Sequence, residues 1–279
     1  MEVNKIVETA KKSLKNLVIG SNVKFIYVAG SLVEGFGNES SDVDMFVITE
    51  DIPKIETSEE RPELLVNIGS YTIHNILEGG IRYDIEYHTI ENFEEIVRKL
   101  NTIKYDGETL SNRLTDQEFD FLHRLKDALP IENEELFYSY LKNINFSNLK
   151  LYKAILHLEE FGGILEDANG AFQSGDFGSS FIMLNILLDS AINGFISIHG
   201  ETNPKNKWLY RKIKRYQNSF QDNDFFEKYC KLKSFKFTED LKREHFEKYV
   251  KEIFSYAQEL NIKTQNYVNS KLNEEVMTK

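Results

Sequence analysis

The chain has 279 residues, 41% of them hydrophobic and 13% aromatic, which is enough for a sizeable core and excludes a wholly disordered protein. Against 45 Asp and Glu stand 34 Lys and Arg, a formal net charge of -11 that argues against a dedicated non-specific nucleic-acid binder, whose affinity comes from neutralising phosphates. The single cysteine, Cys230, excludes an intrachain disulfide and a cysteine-based zinc site, and the acidic balance suits a cationic substrate or simply solubility.

The N-terminal stretch MEVNKIVETAKKSLKNL places Val3, Ile6, Val7, Ala10, Leu14 and Leu17 on one face, predicting an amphipathic helix without the apolar core or cleavage site of a leader peptide. Short β-rich runs follow at Phe25–Ala29, Val43–Ile48, Tyr71–Leu77 and Ile81–His88. The last two flank Glu78-Gly79-Gly80, a hairpin signal because glycine tolerates the positive φ of tight turns. Ile90–Leu100 reads as a helix with Asn92 as its N-cap and Glu95 three residues on. From about Leu114 helical periods take over, at Asp116–Leu129, Glu134–Asn143, Leu149–Ala168, Phe177–His199, Lys207–Tyr216 and Glu239–Leu260. Pro130 and Pro204 fall between these helices, and the tail from Asn261 is polar and reads as frayed. The chain changes character near residue 105 with no Ser/Gly-rich linker and no internal repeat. The expectation is two domains packed on each other, 1–110 and 111–279. No stretch approaches the roughly 20 apolar residues of a membrane span, so the protein is expected to be soluble and cytoplasmic.

One segment carries chemistry: Val28-Ala29-Gly30-Ser31, then a glycine- and serine-rich loop leading through Gly35 and Gly37 to Asp42-Val43-Asp44. A buried strand ending at Gly30 lets the backbone approach a ligand closely, and its amides with the Ser31 hydroxyl can cradle phosphate oxygens. Asp42 and Asp44 are two apart on the next strand, so they share a face. Like charges that close raise each other's pKa unless a cation sits between them, and Mg²⁺ is the natural occupant. Arg82-Tyr83-Asp84-Ile85-Glu86 supplies a third acid on a neighbouring strand, with Asp84 and Glu86 on one face and Ile85 and Tyr87 packing the other. Three carboxylates can hold two metals, the requirement of nucleotidyl transfer.

Gly-Ser, a loop, Asp-x-Asp in a strand and a later Asp strand resemble the DNA polymerase β-like nucleotidyltransferase superfamily over residues 23–90. The resemblance implies an α+β protein: an N-terminal mixed-sheet nucleotidyltransferase domain with a C-terminal all-helical domain, and an active site in the cleft between them. It matches Gly30 and Ser31 to the triphosphate-binding pair, Asp42 and Asp44 to the metal-binding pair, and Asp84 to the third metal carboxylate. The helical half, with Ser174-Gly175-Asp176-Phe177 and Gly200–Trp208, looks like that of the aminoglycoside and lincosamide nucleotidyltransferases. The implied reaction is Mg²⁺-dependent transfer of a nucleotidyl group, AMP from ATP, to a hydroxyl of a small molecule such as a cationic antibiotic, an adenylyltransferase-type activity of the EC 2.7.7 class serving antibiotic resistance. A protein or RNA acceptor in a toxin-type role is the alternative, and a non-catalytic binding module that keeps the fold is the reading from another class. No membrane partner is expected, and the oligomeric state stays open, a dimer included.

Other residues weigh less. Glu86 is the candidate base or contact to a substrate cation, ahead of Glu159, Glu160, Glu166 and Asp167, which read as a solvated helix face. Lys205 and Lys207, before Trp208, are candidate phosphate contacts beside the reading of a packed tryptophan with surface lysines. His74 and His88 lie on adjacent strands, where a shared metal is the minor reading. Asp189 and Asn193 belong to a core helix. Lys228–Lys242 is the one basic stretch that RNA could use, and its acids argue for a solvated face.

Overall fold

Alternating and β-branched runs in the first half pair into one mixed sheet in the computed structural model, which describes residues 3–17, 20, 22–55, 63–105 and 110–277. Helix α1 (Val3–Leu17) precedes β1 (Val23–Ala29), a single turn α2 (Gly30–Val33), β2 (Val43–Thr49), β3 (Glu63–Asn67), β4 (Tyr71–Glu78) and β5 (Ile81–Thr89). Helix α3 (Ile90–Asn101), the two-residue strands β6 (Lys104–Tyr105) and β7 (Leu110–Ser111), α4 (Asp116–Lys126), β8 (Leu129–Glu132) and α5 (Glu134–Leu141) follow. The rest is helical: α6 (Phe146–Ser174), α7 (Phe177–Ile198), a 3₁₀ turn at Asn206–Trp208, α8 (Leu209–Phe220), α9 (Phe225–Lys233) and α10 (Arg243–Met277).

The six-stranded sheet has the order β3-β4-β5-β2-β1-β8. β2 and β5 run parallel and every other neighbouring pair is antiparallel, so the fold is α+β with a mixed sheet and a mostly helical C-terminal region. Two opposite faces follow from the period-2 alternation. One is aliphatic: Ile26, Val28, Val43, Met45, Val47, Ile85 and Tyr87 pack in a cluster joined by Val7, Ala10 and Leu14 of α1. The side chains of Val3, Ile6 and Leu17 lie outside the described residues. The other face is aromatic toward β1 and β2. Tyr27 stacks on Phe46 at 4.9 Å, Phe25 meets Phe93 of α3 and Phe137 of α5, and Phe46 meets Phe121 of α4.

Several expectations need correction. The α3 N-cap is Thr89, whose hydroxyl accepts the Asn92 amide, because the strand runs straight into the helix and leaves Asn92 inside the first turn. β3 and β8 went unrecognised. β3 offers only five residues with neither face fully buried, and β8 contains Pro130, which is tolerated there because β8 is an edge strand with no outer neighbour to receive an N–H. The tail from Asn261 is not frayed: α10 continues to Met277, with Thr264 and Val268 buried. α7 is long and apolar enough by composition to cross a membrane, contrary to expectation, yet 67% of that apolar window is buried within the fold, where α7 packs along α10.

The chain divides into two units, one of residues up to Thr102 with Asn112–Phe146, the other Ile103–Ser111 with Ser147–Lys279. Thus α4, β8 and α5, which the sequence grouped with the helical half, cluster with the sheet because β8 pairs with β1. Within the second unit the 200–208 segment is fastened from below. The buried Lys153 and Lys212 both donate to the Asn203 carbonyl, at 2.8 and 2.9 Å, and Lys212 also donates to Asn193 Oδ1. Arg215 grips both oxygens of the buried Glu201 carboxylate. Burial, reinforced by the charges of Lys153 and Lys212, presses the pKa of His157 down to about 3.

Ile85 is fully buried at the centre of β5, between Met45 and His74 in register. Ile85→Ala should cost about 2–5 kcal/mol, read as a lower urea midpoint at unchanged m value.

Candidate functional site

At the end of β1 the chain turns through Gly30, whose φ of +77° suits glycine, into α2. The absent side chain matters more than the angle: a Cβ on Gly30 would stand 1.8 Å from Asp44 Oδ2. The loop beyond is bonded internally. Phe36 and Gly37 both donate to the Ser31 carbonyl, Ser40 donates to Asn38 Oδ1 through its amide and its hydroxyl, and the Asn38 amide donates to Ser41 Oγ. Those bonds deliver the chain to Asp42 and β2. At the end of α2, Glu34 meets His123 of α4 at 3.4 Å, both buried.

Register then sets the acids. Asp44 lies opposite Ala29 on β1 and Asp84 on β5, and Asp84 lies opposite Asn75 on β4. Directly paired residues point to the same face, so Asp44 and Asp84 stand side by side and Glu86 follows two residues along. Asp42 stands one residue ahead of β2, outside the ladder, where Arg82 Nε donates to its Oδ1. Asn75 Nδ2 donates to Asp84 Oδ1. Asn92 Nδ2 donates to His88 Nδ1 at 3.0 Å, which leaves the ring proton on Nε2, facing Glu86 Oε2 at 3.3 Å.

At the centre is a residue that sequence reasoning missed, Arg124 of α4. Its Nη1 donates to Asp44 Oδ1 at 2.9 Å and lies 3.4 Å from Glu86 Oε1, while Nη2 reaches Asp120 Oδ2 at 2.9 Å. Burial, only partly offset by Arg124, lifts the Asp44 pKa to about 6, with Asp84, Glu86 and Asp120 adding repulsion. Burial also works against the Arg124 charge, but the attraction of Asp44, Asp120 and Glu86 outweighs it and the guanidinium pKa is raised. No local pattern could have marked Arg124, which is 80 residues from Asp44. The i,i+4 pairing with Asp120 was the only visible sign, and it is common on helix surfaces.

Among the described residues no three His, Cys, Asp or Glu side chains stand together closely enough to hold a metal ion. Asp42, Asp44 and Asp84 are therefore not assembled as a three-carboxylate cluster; Arg82, Arg124 and Asn75 each draw one of them away. The donor chemistry still suits a hard divalent cation. Asp44 and Asp84 are adjacent oxygen ligands, and the missing side chain of Gly30 lets the Asp44 carboxylate lie directly against the turn.

The remaining candidates have surroundings of their own. Lys205 and Lys207 belong to the second unit, where the Lys205 amide donates to Asn203 Oδ1 and the Lys207 ammonium lies 5.2 Å from the Trp208 ring centre. Glu159, Glu160, Glu166 and Asp167 are exposed along α6. His74 and His88 point to opposite faces of the sheet, His74 meeting Glu63 at 2.6 Å. Asp189 accepts from Lys233 and Tyr229, and Lys228 lies 3.7 Å from Glu259, so that basic stretch is interleaved with acids in space as well as in sequence.

Residues 7–108 match the family model of the nucleotidyltransferase domain. The chain is similar in fold to the nucleotidyltransferase-like protein from Exiguobacterium sibiricum 255-15, with a TM-score of 0.50 at 14% identity, covering 96% of this chain and 80% of that one. No curated protein matches the sequence. The resemblance drawn from Gly30-Ser31 and Asp42-x-Asp44 thus holds at the level of the domain.

Two outcomes follow for stability. Gly30→Ala should destabilise the fold by about 1–3 kcal/mol in urea unfolding, since the new Cβ must displace Asp44 and adopt a left-handed backbone. Asp44 binds its proton more tightly folded than unfolded, so stability falls as pH rises through the window from about 4 to about 6. Asp44→Asn should remove that fall, so the drop in melting temperature between pH 4 and pH 6 should be smaller in the variant than in wild type.

Proposed function

We propose that the protein transfers a nucleotidyl group, AMP from ATP, to a hydroxyl of a small molecule and releases pyrophosphate. The reading rests on one observation above the rest: the Ala29–Asp44–Asp84 row with Gly30 against Asp44, inside the stretch that matches the nucleotidyltransferase domain. Asp44 and Asp84 would hold Mg²⁺, and Asp42 would join them by releasing Arg82. When bound, Mg²⁺ supplies charge neutralisation of the triphosphate and orients its reacting phosphorus.

The chain's own groups do the remainder. The Gly30 amide and the Ser31 hydroxyl, at the turn that Gly30 lets pack directly against the Asp44 carboxylate, receive triphosphate oxygens. Glu86 faces the acceptor hydroxyl and takes its proton as the acceptor oxygen bonds to the α-phosphorus and the bond to the departing pyrophosphate breaks. His88 and Arg124 hold the two Glu86 oxygens and so fix which way that carboxylate faces. Acids crowd this end of the sheet, which suits an acceptor with positive charge. A cationic antibiotic is such an acceptor, and its modification in the cytoplasm would make the chain a resistance enzyme.

Isothermal titration with each of the four nucleoside triphosphates in Mg²⁺, beside the Asp42→Asn/Asp44→Asn double variant, tests the reading. One triphosphate should bind in a metal-dependent way and lose at least about tenfold in the variant, whose circular dichroism should be unchanged. Failure of all four to bind the wild-type chain would overturn it.

A further inference from the structure

The sheet face that carries Asp84 and Glu86 continues past β5, and register traces it row by row. Asp84 lies opposite Asn75 and then Leu64; Glu86 lies opposite Ile73 and then Val66; His88 lies opposite Tyr71. Paired side chains on one face are about 5 Å apart at Cβ, so each row is a continuous strip. Toward β1 and β2 this face lies under the aromatic side chains of α3, α4 and α5. Over β4 and β3 it opens: Ile73 and Tyr71 are half-buried, and Val66 and Leu64 are 37% and 59% exposed. The reverse side of the same strand is shut, with Thr72, His74 and Ile76 buried. Fraying of the sheet would expose both sides, so the asymmetry is a property of this face.

Single exposed apolar residues are ordinary, but these stand in successive rows, two of which end on the acids Asp84 and Glu86 and the third on His88, which faces Glu86. Tyr71 lies flat against His88, 4.9 Å between ring centres at 9°, which steadies the floor beside Glu86. From Glu86 to Val66 is two strand spacings, about 10 Å, the reach of a drug-sized apolar body.

We propose that this strip is the floor of the acceptor subsite, and that the acceptor is an amphiphile: an apolar body on Leu64, Val66, Ile73 and Tyr71, with a hydroxyl and a neighbouring ammonium group at Glu86. The proposal rests on the nucleotidyl-transfer reading and narrows its substrate. A polycation hydrated on all sides gains nothing from four apolar side chains, whereas an amphiphile loses apolar surface to the floor while its charged end meets carboxylates.

The test uses the full chain with methyl-labelled Leu, Val and Ile, titrated with n-alkyl-(2-hydroxyethyl)dimethylammonium probes from butyl to octyl in the presence of ATP and Mg²⁺. The methyls of Leu64, Val66 and Ile73 should shift, and Kd should fall about fourfold per added methylene. In Leu64→Ser/Val66→Ser, which alters two exposed positions, the fall should shrink to about 1.5-fold or less per methylene, while ATP binding stays at the wild-type value. An unchanged slope in the variant, shifts confined to other methyls, or no shifts at all would overturn the floor while ATP binding left the transfer reading standing. Methyl shifts on dilution without probe, with a doubled mass in sedimentation, would also overturn it by giving the face to a second copy. A retained slope in a chain that binds no nucleoside triphosphate would end the acceptor assignment together with the transfer reading.

Discussion

Everything at the candidate site depends on one guanidinium. Asp44, Asp84 and Glu86 share a sheet face and Asp120 pairs with the same guanidinium, and burial, with the repulsion of these acids added to it, raises the pKa of Asp44. Arg124 makes the crowd tolerable, because its planar fork carries five N–H donors spread over a wide arc and reaches Asp44, Glu86 and Asp120 from one position. The helix that carries it is correspondingly well secured. A capping box of Thr115 and Glu118 starts α4, Lys99 of α3 reaches the same Glu118, and His123 meets Glu34 at the far side. Removing one partner from such a group leaves another charge buried without its counterpart, so the network holds as a unit.

How much of this was legible in the sequence follows from how local each signal is. Asp84 and Glu86 on one face, with Ile85 and Tyr87 on the other, is a statement about alternation along five residues, and the alternation is what the burial of β5 displays. The Gly30-Ser31 turn was legible for the same reason, although what makes glycine necessary, the Asp44 carboxylate against its missing side chain, depends on pairing between strands. Arg124 was invisible because nothing within ten residues of it refers to Asp44 or Glu86. β8 is illegible in the sequence because Pro130 fits a break between helices and an edge strand equally well. The last turns of α10 are illegible in the sequence because, beyond Asn261, the described side chains that are buried are Thr264 and Val268, four residues apart, which leaves little apolar signal to show.

The two sides of the sheet divide the labour. The aliphatic side, under α1, is closed, and supplies the burial that holds six strands in register. The aromatic side grades from packed rings at β1 and β2, through carboxylates, to bare aliphatic side chains at β4 and β3. Chemistry is placed where that gradient crosses from covered to open, so the reacting groups are held by a dry core on one flank and accessible from the other. In the proposed reading a metal, a phosphate tail and an acceptor draw on neighbouring positions of one strip, about 5 Å apart across the strands and about 7 Å apart along them.

The sheet's two margins are unlike each other. β8 carries Pro130, which cannot donate to a further strand, whereas β3 ends the sheet on the other side with a full set of backbone donors and acceptors. Among the described residues, strand addition therefore has one entrance. An edge that meets its own copy about a two-fold axis is consumed on contact, leaving a pair with proline at both outer margins. Pro130 takes a donor away from the β8 margin, which biases any extension of the sheet toward β3.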